Sequence, residues 1–196
     1  VITTSDENSH AIIKKCLGKT DKQILAMSFA DIACGSGAFL LELFQLLNDI
    51  FIDYYLANNP KLLIQTNIST YKLPFEIKAA ILLNCIYGVD KDYNAVEATK
   101  FGLLLKLLEN EDIKSLIIAK PILPSLDNNI FNGNSLINTK SVKSKADKDI
   151  INPFDFTKLQ FDVIIGNPPY MKIEDMKNIT PLELPIYKDN YKTAYK

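Results

Sequence analysis

The chain has 196 residues, 47% of them hydrophobic, and a formal net charge of −1. That length suits one domain with its own apolar core, and the balanced charge excludes a chain-wide basic field for gathering nucleic acid. Every basic residue is lysine and tryptophan is absent, so the side chain best suited to bidentate reading of guanine edges is missing.

His10 is the only histidine, and Cys16, Cys34 and Cys85 lie far apart with no C-x-x-C pair. A histidine triad or a zinc site is therefore not expected, and a reducing, cytoplasmic setting is. No apolar run reaches the ~20 residues of a membrane span, so no membrane partner is expected. The chain opens on Val1 and stops at "YKTAYK" without a turn or cap, which reads as a piece of a longer protein.

In chain order, 4–17 reads as a helix with capping-box spacing between Thr4 and Glu7 and Gly18 as its stop. "SFADIAC" (28–34) is a short buried strand, "GSG" (35–37) a tight turn, and 38–56 a deeply buried helix, apolar almost all round. Residues 57–73 read as loop, and a helix is expected from Pro74 to about Asn84. "CIYGVD" (85–90) is a second strand, and Asp92 caps a helix over 93–109. "NNIFNGNSL" (128–136) is a third strand and turn, and 138–150 a solvated lysine-rich loop. "FDVIIGN" (161–167) is the fourth strand, after which Pro181 and Pro185 suggest irregular structure.

Short apolar strands alternating with helices predict an α/β fold, a parallel sheet with helices on both faces. Ligands of such sheets bind beyond the carboxyl ends of the strands. "CGSG", "GVD", "GNS" and "NPPY" all fall at such ends.

In "DIACGSGAF" a strand, a glycine turn and a helix bring backbone close to a ligand, with Gly35 and Gly37 leaving room. A plain strand–helix turn has the same pattern. Asp90 ends "GVD", where one carboxylate can accept from both hydroxyls of a ribose, or simply cap the next helix. Asn134 in "GNS" has an amide that can pair with an adenine edge, although asparagine is also a common turn residue.

"NPPY" is the most specific of the four. Two prolines stiffen the segment and leave carbonyls as its only main-chain polar groups. The carbonyl of Pro168 and the side-chain oxygen of Asn167 can face one spot, which suits a group with two N–H donors, either an exocyclic amine or a carboxamide. Pro169 fixes the corner, and Tyr170 offers a flat face for stacking, worth about 1–3 kcal/mol per base.

With these residues in order, the chain resembles the catalytic domain of class I S-adenosylmethionine-dependent methyltransferases. More closely, it resembles the gamma-type N6-adenine DNA methyltransferases, especially the type IIG enzymes that fuse modification to restriction. "DIACGSGAFL", "IYGVDKDYNAVEATKFGLLL", "GNSL" and "NPPY" match the family's motifs over about 29–172. Asn134 stands where many members have Asp.

The resemblance implies a Rossmann-like sheet and S-adenosyl-L-methionine as cofactor. Asp31, Ala33, Gly35 and Gly37 would line its methionine part, Asp90 its ribose and Asn134 its adenine. Asn167 and Pro168 would hold the target N6 amine, with Tyr170 stacked on an adenine flipped out of double-stranded DNA. It also implies that 1–196 is a single, incomplete catalytic domain, with cofactor motifs over 29–136 and the catalytic region at 161–172. The C-terminal strands and target-recognition domain would lie outside it, as would the aromatic-Thr-Pro segment of which Val1–Thr4 would be the remnant. Such a piece is expected to bind cofactor weakly and to methylate little or no DNA. Methylation of a protein glutamine or of RNA through the same clamp, or cofactor binding without catalysis, are the alternatives. Cys34 is expected to be a buried spacer rather than a nucleophile, and Lys140, Lys143, Lys145 and Lys148 to be solvated.

Overall fold

The computed structural model describes residues 5–111, 123–156, 159–168 and 172–191. Four strands form a parallel sheet flanked by helices: β1 (Phe29–Asp31), β4 (Ile86–Asp90), β5 (Ile130–Asn132) and β6 (Val163–Ile165), in the order β5-β4-β1-β6. The chain winds from β1 outward to β4 and β5, then returns to place β6 on the other side of β1. That reversal is a topological switch point, where a crevice opens beyond the strand ends. The α/β parallel sheet is the one the alternating pattern predicts, and its Rossmann-like form the one the resemblance implies.

The helix α3 (Ala38–Asn58) follows β1, and α5 (Tyr93–Leu108) follows β4. Both pack on the sheet and on each other, with α4 (Phe75–Cys85) against both. α3 buries Leu40, Leu43, Phe44, Leu47, Phe51 and Tyr55, a spacing of three and four that makes one continuous face. Each such side chain contributes ~1.5–3 kcal/mol when fully buried. The contact with the sheet is tight: a methyl at Gly88 would lie 2.7 Å from Leu40 Cδ1. The alternate positions face the other way. There Tyr87 meets Phe161 at 5.5 Å between ring centroids and Phe131 meets Phe154 at 5.3 Å, with Phe156 linking the series.

α1 (Ser5–Cys16) precedes Gly18, whose φ of +75° lets the chain leave the helix. Thr4, half of the expected capping box, lies outside the described residues. A capping box does form at α2 (Asp21–Leu25), between Thr20 and Gln23. Pro74 is the residue before α4 rather than its first, and Asp92 caps α5 by accepting from the Asn94 amide at 2.8 Å.

Three expectations are corrected. The predicted loop at 57–73 contains a 3-10 turn (Pro60–Leu62) and a two-stranded antiparallel ribbon, β2 (Ile64–Gln65) with β3 (Tyr71–Lys72). Strands of two residues are too short to leave an alternating pattern. The predicted lysine-rich loop contains a 3-10 turn (Thr139–Ser141) and α6 (Lys145–Ile151). Ile137, Val142 and Ile151 form a small second core there, and the lysines only decorate its outside. The stretch expected to be irregular holds two helices, α7 (Ile173–Ile179) and α8 (Leu184–Asn190). Pro185 sits in the first turn of α8, where a missing N–H costs nothing.

Candidate functional site

The chain leaves β1 through a corner fixed at both of its main-chain groups. The Gly35 amide donates to Asp90 Oδ2 at 2.7 Å, and the Gly35 carbonyl accepts from Thr99 Oγ1 at 2.9 Å. Cys34 N donates to the Val89 carbonyl at 3.0 Å, and Gly37 N to the Cys34 carbonyl at 2.8 Å. Gly35 and Gly37 take φ of +53° and +86°, the left-handed region that glycine occupies freely. The two glycines answer different demands. A methyl at Gly37 would lie 2.7 Å from Thr99 Cγ2, so its bareness lets α5 approach. At Gly35 nothing lies within 4 Å of an added methyl. Gly37 caps α3 with no side-chain bond to its first amides, which leaves donors at the corner.

Two carboxylates flank the corner. Asp31, 1% exposed, accepts from the Ala33 amide at 3.0 Å. Burial pushes its carboxyl up to about 6, the Ala33 amide pulls it down, and the neighbouring charge of Asp90 pushes it up again. Asp90 is half-buried, with one oxygen on Gly35 N and the other accepting from Asp92 N at 2.8 Å. Each oxygen keeps a further lone pair. Burial, then Asp31 and Asp90, raise the Cys34 thiol to about 12, so it stays protonated and is a spacer rather than a nucleophile.

The turn after β6 starts beside Asp31. Gly166 has φ of +151°, and a methyl on it would lie 2.5 Å from Asp31 Oδ1. Asn167 and Pro168 follow, both exposed. Pro169 and Tyr170 lie outside the described residues. Since β1 pairs with both β4 and β6, their carboxyl ends bring Asp31, Gly35, Asp90 and Asn167 to one end of the sheet.

Asn134, just beyond β5, is also at that end but is engaged within the chain. It is 4% exposed. Its Nδ2 donates to Tyr187 Oη at 3.0 Å and its Oδ1 accepts from Leu136 N at 3.1 Å. The Tyr187 hydroxyl donates in turn to Glu183 Oε2 at 2.9 Å, and Lys91 pairs with Glu183.

A strand–glycine–helix corner, an acid on the neighbouring strand and the turn through Asn167 and Pro168 thus share one end of the sheet. Residues 84–196 match the model of the Eco57I restriction-modification methylase family. The chain belongs to that family. Among relatives of the family chain, the type II restriction enzyme and methyltransferase RM.Eco57I of Escherichia coli is 56% identical over 187 residues, 95% of this chain and 19% of that protein. A protein of Methanocaldococcus jannaschii, named "Putative type II restriction enzyme and methyltransferase RM.MjaORFECS2P", is 37% identical over 135 residues, 67% of this chain and 10% of that protein. This chain thus spans under a fifth of the length of these relatives.

Two residues of the site escape sequence reasoning. Thr99 sits in mid-helix, 0% exposed, with nothing around it to distinguish it from an ordinary core threonine. Gly166 stands in plain view in "IIGNPPY", but its reason, the close approach of Asp31, exists only in three dimensions. A glycine between a strand and the diproline was the available signal.

Proposed function

We propose that this chain carries the cofactor and catalytic motifs of a DNA methyltransferase that methylates the N6 amine of adenine within a restriction-modification system. The observation that carries the reading is the Gly35 corner: open space, donors from the start of α3, and carboxylates on both sides. Such a corner suits a ligand with a cationic amino-acid part and a ribose. S-adenosyl-L-methionine fits that description, with Asp31, Ala33, Gly35 and Gly37 around its methionine part and Asp90 at its ribose. When bound, it supplies a methyl group on a positively charged sulfur. The family membership and the names of the relatives support the same reading.

The remaining work falls to the turn after β6. The amine of adenine is a weak nucleophile because its lone pair is delocalised into the ring. Asn167 Oδ1 and the Pro168 carbonyl accept from its two hydrogens and draw the nitrogen toward a tetrahedral shape. Pro169 stiffens the corner, and Tyr170 stacks on the base, which must leave the duplex at a cost of a few kcal/mol. The gain comes from position and electrostatics. The methylated amine sheds a proton readily, so no histidine is required. Residues 1–196 act in this reading as one incomplete catalytic domain, consistent with the share of the relatives that they cover.

The test is product identity. The full-length protein, given S-adenosyl-L-methionine and duplex DNA, should yield N6-methyl-2′-deoxyadenosine in a nucleoside digest. A mass gain on a glutamine peptide, with unmodified DNA, would overturn the choice of substrate.

A further inference from the structure

The cofactor reading leaves one feature unused: α8 lies across the place where a nucleoside would go. Asp90 and Asn132 are register partners at the ends of β4 and β5, and Gly133 N donates to the Asp90 carbonyl at 2.8 Å. Lys91 and Asn134 are therefore neighbours on the rim of one crevice. α8 and the residue before it connect them, Glu183 to Lys91 and Tyr187 to Asn134. Both polar groups of the Asn134 side chain have partners within the chain. Each group keeps one further hydrogen-bonding site, but Asn134 is only 4% exposed, so an adenine cannot reach that site until Tyr187 moves aside.

Among the described residues a small set of contacts holds α8. Its buried side chains are Leu184 and Tyr187, Tyr187 and the half-buried Ile186 pack on the small core of Ile137, Val142 and Ile151 rather than on the main one, and Asn190 Nδ2 donates to Ser141 Oγ at 3.3 Å. Few buried apolar contacts and a short helix are the marks of a segment that opens below the cost of global unfolding. The polar chain Lys91–Glu183–Tyr187–Asn134 gives the closed form a definite geometry.

We infer that α8 is a strap over the nucleoside side of the site, latched by Tyr187 on Asn134 and Glu183 on Lys91, and that it must open to admit the cofactor's adenosine. This rests on the proposed cofactor reading. A closed strap lowers apparent affinity by the fraction of molecules that are open. Weakening the latch therefore tightens binding. The converse arrangement, with Tyr187 as a wall of the occupied pocket, requires the opposite sign.

The experiment uses the full-length protein, S-adenosyl-L-homocysteine as probe, calorimetry, and hydrogen exchange over 184–190. Tyr187→Phe keeps the ring in the small core and removes only the hydroxyl. Its closed form leaves Asn134 Nδ2 short of a partner, so the strap predicts about 3–10-fold tighter binding. Glu183→Gln, which keeps the shape and weakens the pair with Lys91, should shift affinity in the same direction. Amides of α8 should exchange faster than those of α3 in the free protein, and faster still with probe bound. Equal or weaker binding by Tyr187→Phe, or protection of α8 by the probe, overturns the strap alone. If neither wild type nor Tyr187→Phe takes up the probe, the cofactor reading fails, and the strap, with nothing to admit, fails with it.

Discussion

At Gly35 and Gly166 the same substitution has opposite meanings. An alanine at Gly35 meets no protein atom within 4 Å and tolerates φ of +53° at a cost of about 1 kcal/mol. Gly35→Ala should therefore fold with a nearly unchanged Tm and lose cofactor affinity by about tenfold or more, because the methyl fills the cradle. Gly166→Ala instead drives a methyl to 2.5 Å from Asp31 Oδ1 at φ of +151°. It should lower Tm by several degrees in a thermal melt, and a Tm equal to wild type would contradict the geometry. Asp31 gives a pH signature. Burial raises its carboxyl to about 6 in the folded chain, while in the unfolded chain it ionises near 4. Between those values the folded chain holds a proton that the unfolded chain has lost, so this group's contribution falls as pH rises through the window. Asp31→Asn should show no advantage at pH 4 and a gain of roughly 1–3 kcal/mol at pH 7 in denaturant titrations, and a pH-independent difference would contradict this account. Asp31, Gly35 and Asp90 are legible in the sequence because each ends an apolar strand. Thr99 is not, because its role depends on which helix passes over Gly35. Asn134 is legible as a strand-end asparagine, but its burial under Tyr187, 53 positions away, is not.

Among the elements, those with long periodic patterns follow the sequence closely. α3 and α5 are found within two residues of their expected ends, since a helix that fills a core must repeat its apolar face. The short elements deviate for a physical reason. α6 buries Ile151 alone and α8 buries Leu184 and Tyr187, so their apolar residues are too few to display a period. Tertiary contacts decide such helices, and composition misleads. One join depends on a single lysine. Lys78 of α4, 7% exposed, donates to the Leu107 carbonyl at 2.9 Å and the Glu109 carbonyl at 3.2 Å, and pairs with Glu111. It closes the free carbonyls at the end of α5 and favours that end of the helix dipole. Lys78→Ala should cost about 2–3 kcal/mol in a denaturation curve. Lys78→Arg should recover part of it. Loss of less than ~0.5 kcal/mol would mean that Lys72, which also pairs with Glu111, carries the join.

Taken whole, the molecule gathers its unusual residues at one end of a parallel sheet, and the order β5-β4-β1-β6 explains why. β6 is at the edge in the described residues, and Ile164 on it is 44% exposed. An apolar edge of this kind invites pairing with another chain. The 196-residue chain by itself should therefore self-associate as concentration rises in sedimentation experiments, and Ile164→Lys should suppress it. Monomeric behaviour of both forms at high concentration would contradict that. The central claim is that Asn167 acts on the target amine while the Gly35 corner holds the cofactor. Its most direct test is transfer of labelled methyl from S-adenosyl-L-methionine to DNA by the full-length protein carrying Asn167→Ala. The account predicts a loss of about 100-fold or more with cofactor bound as tightly as by wild type, whereas methylation within about threefold of wild type would contradict it.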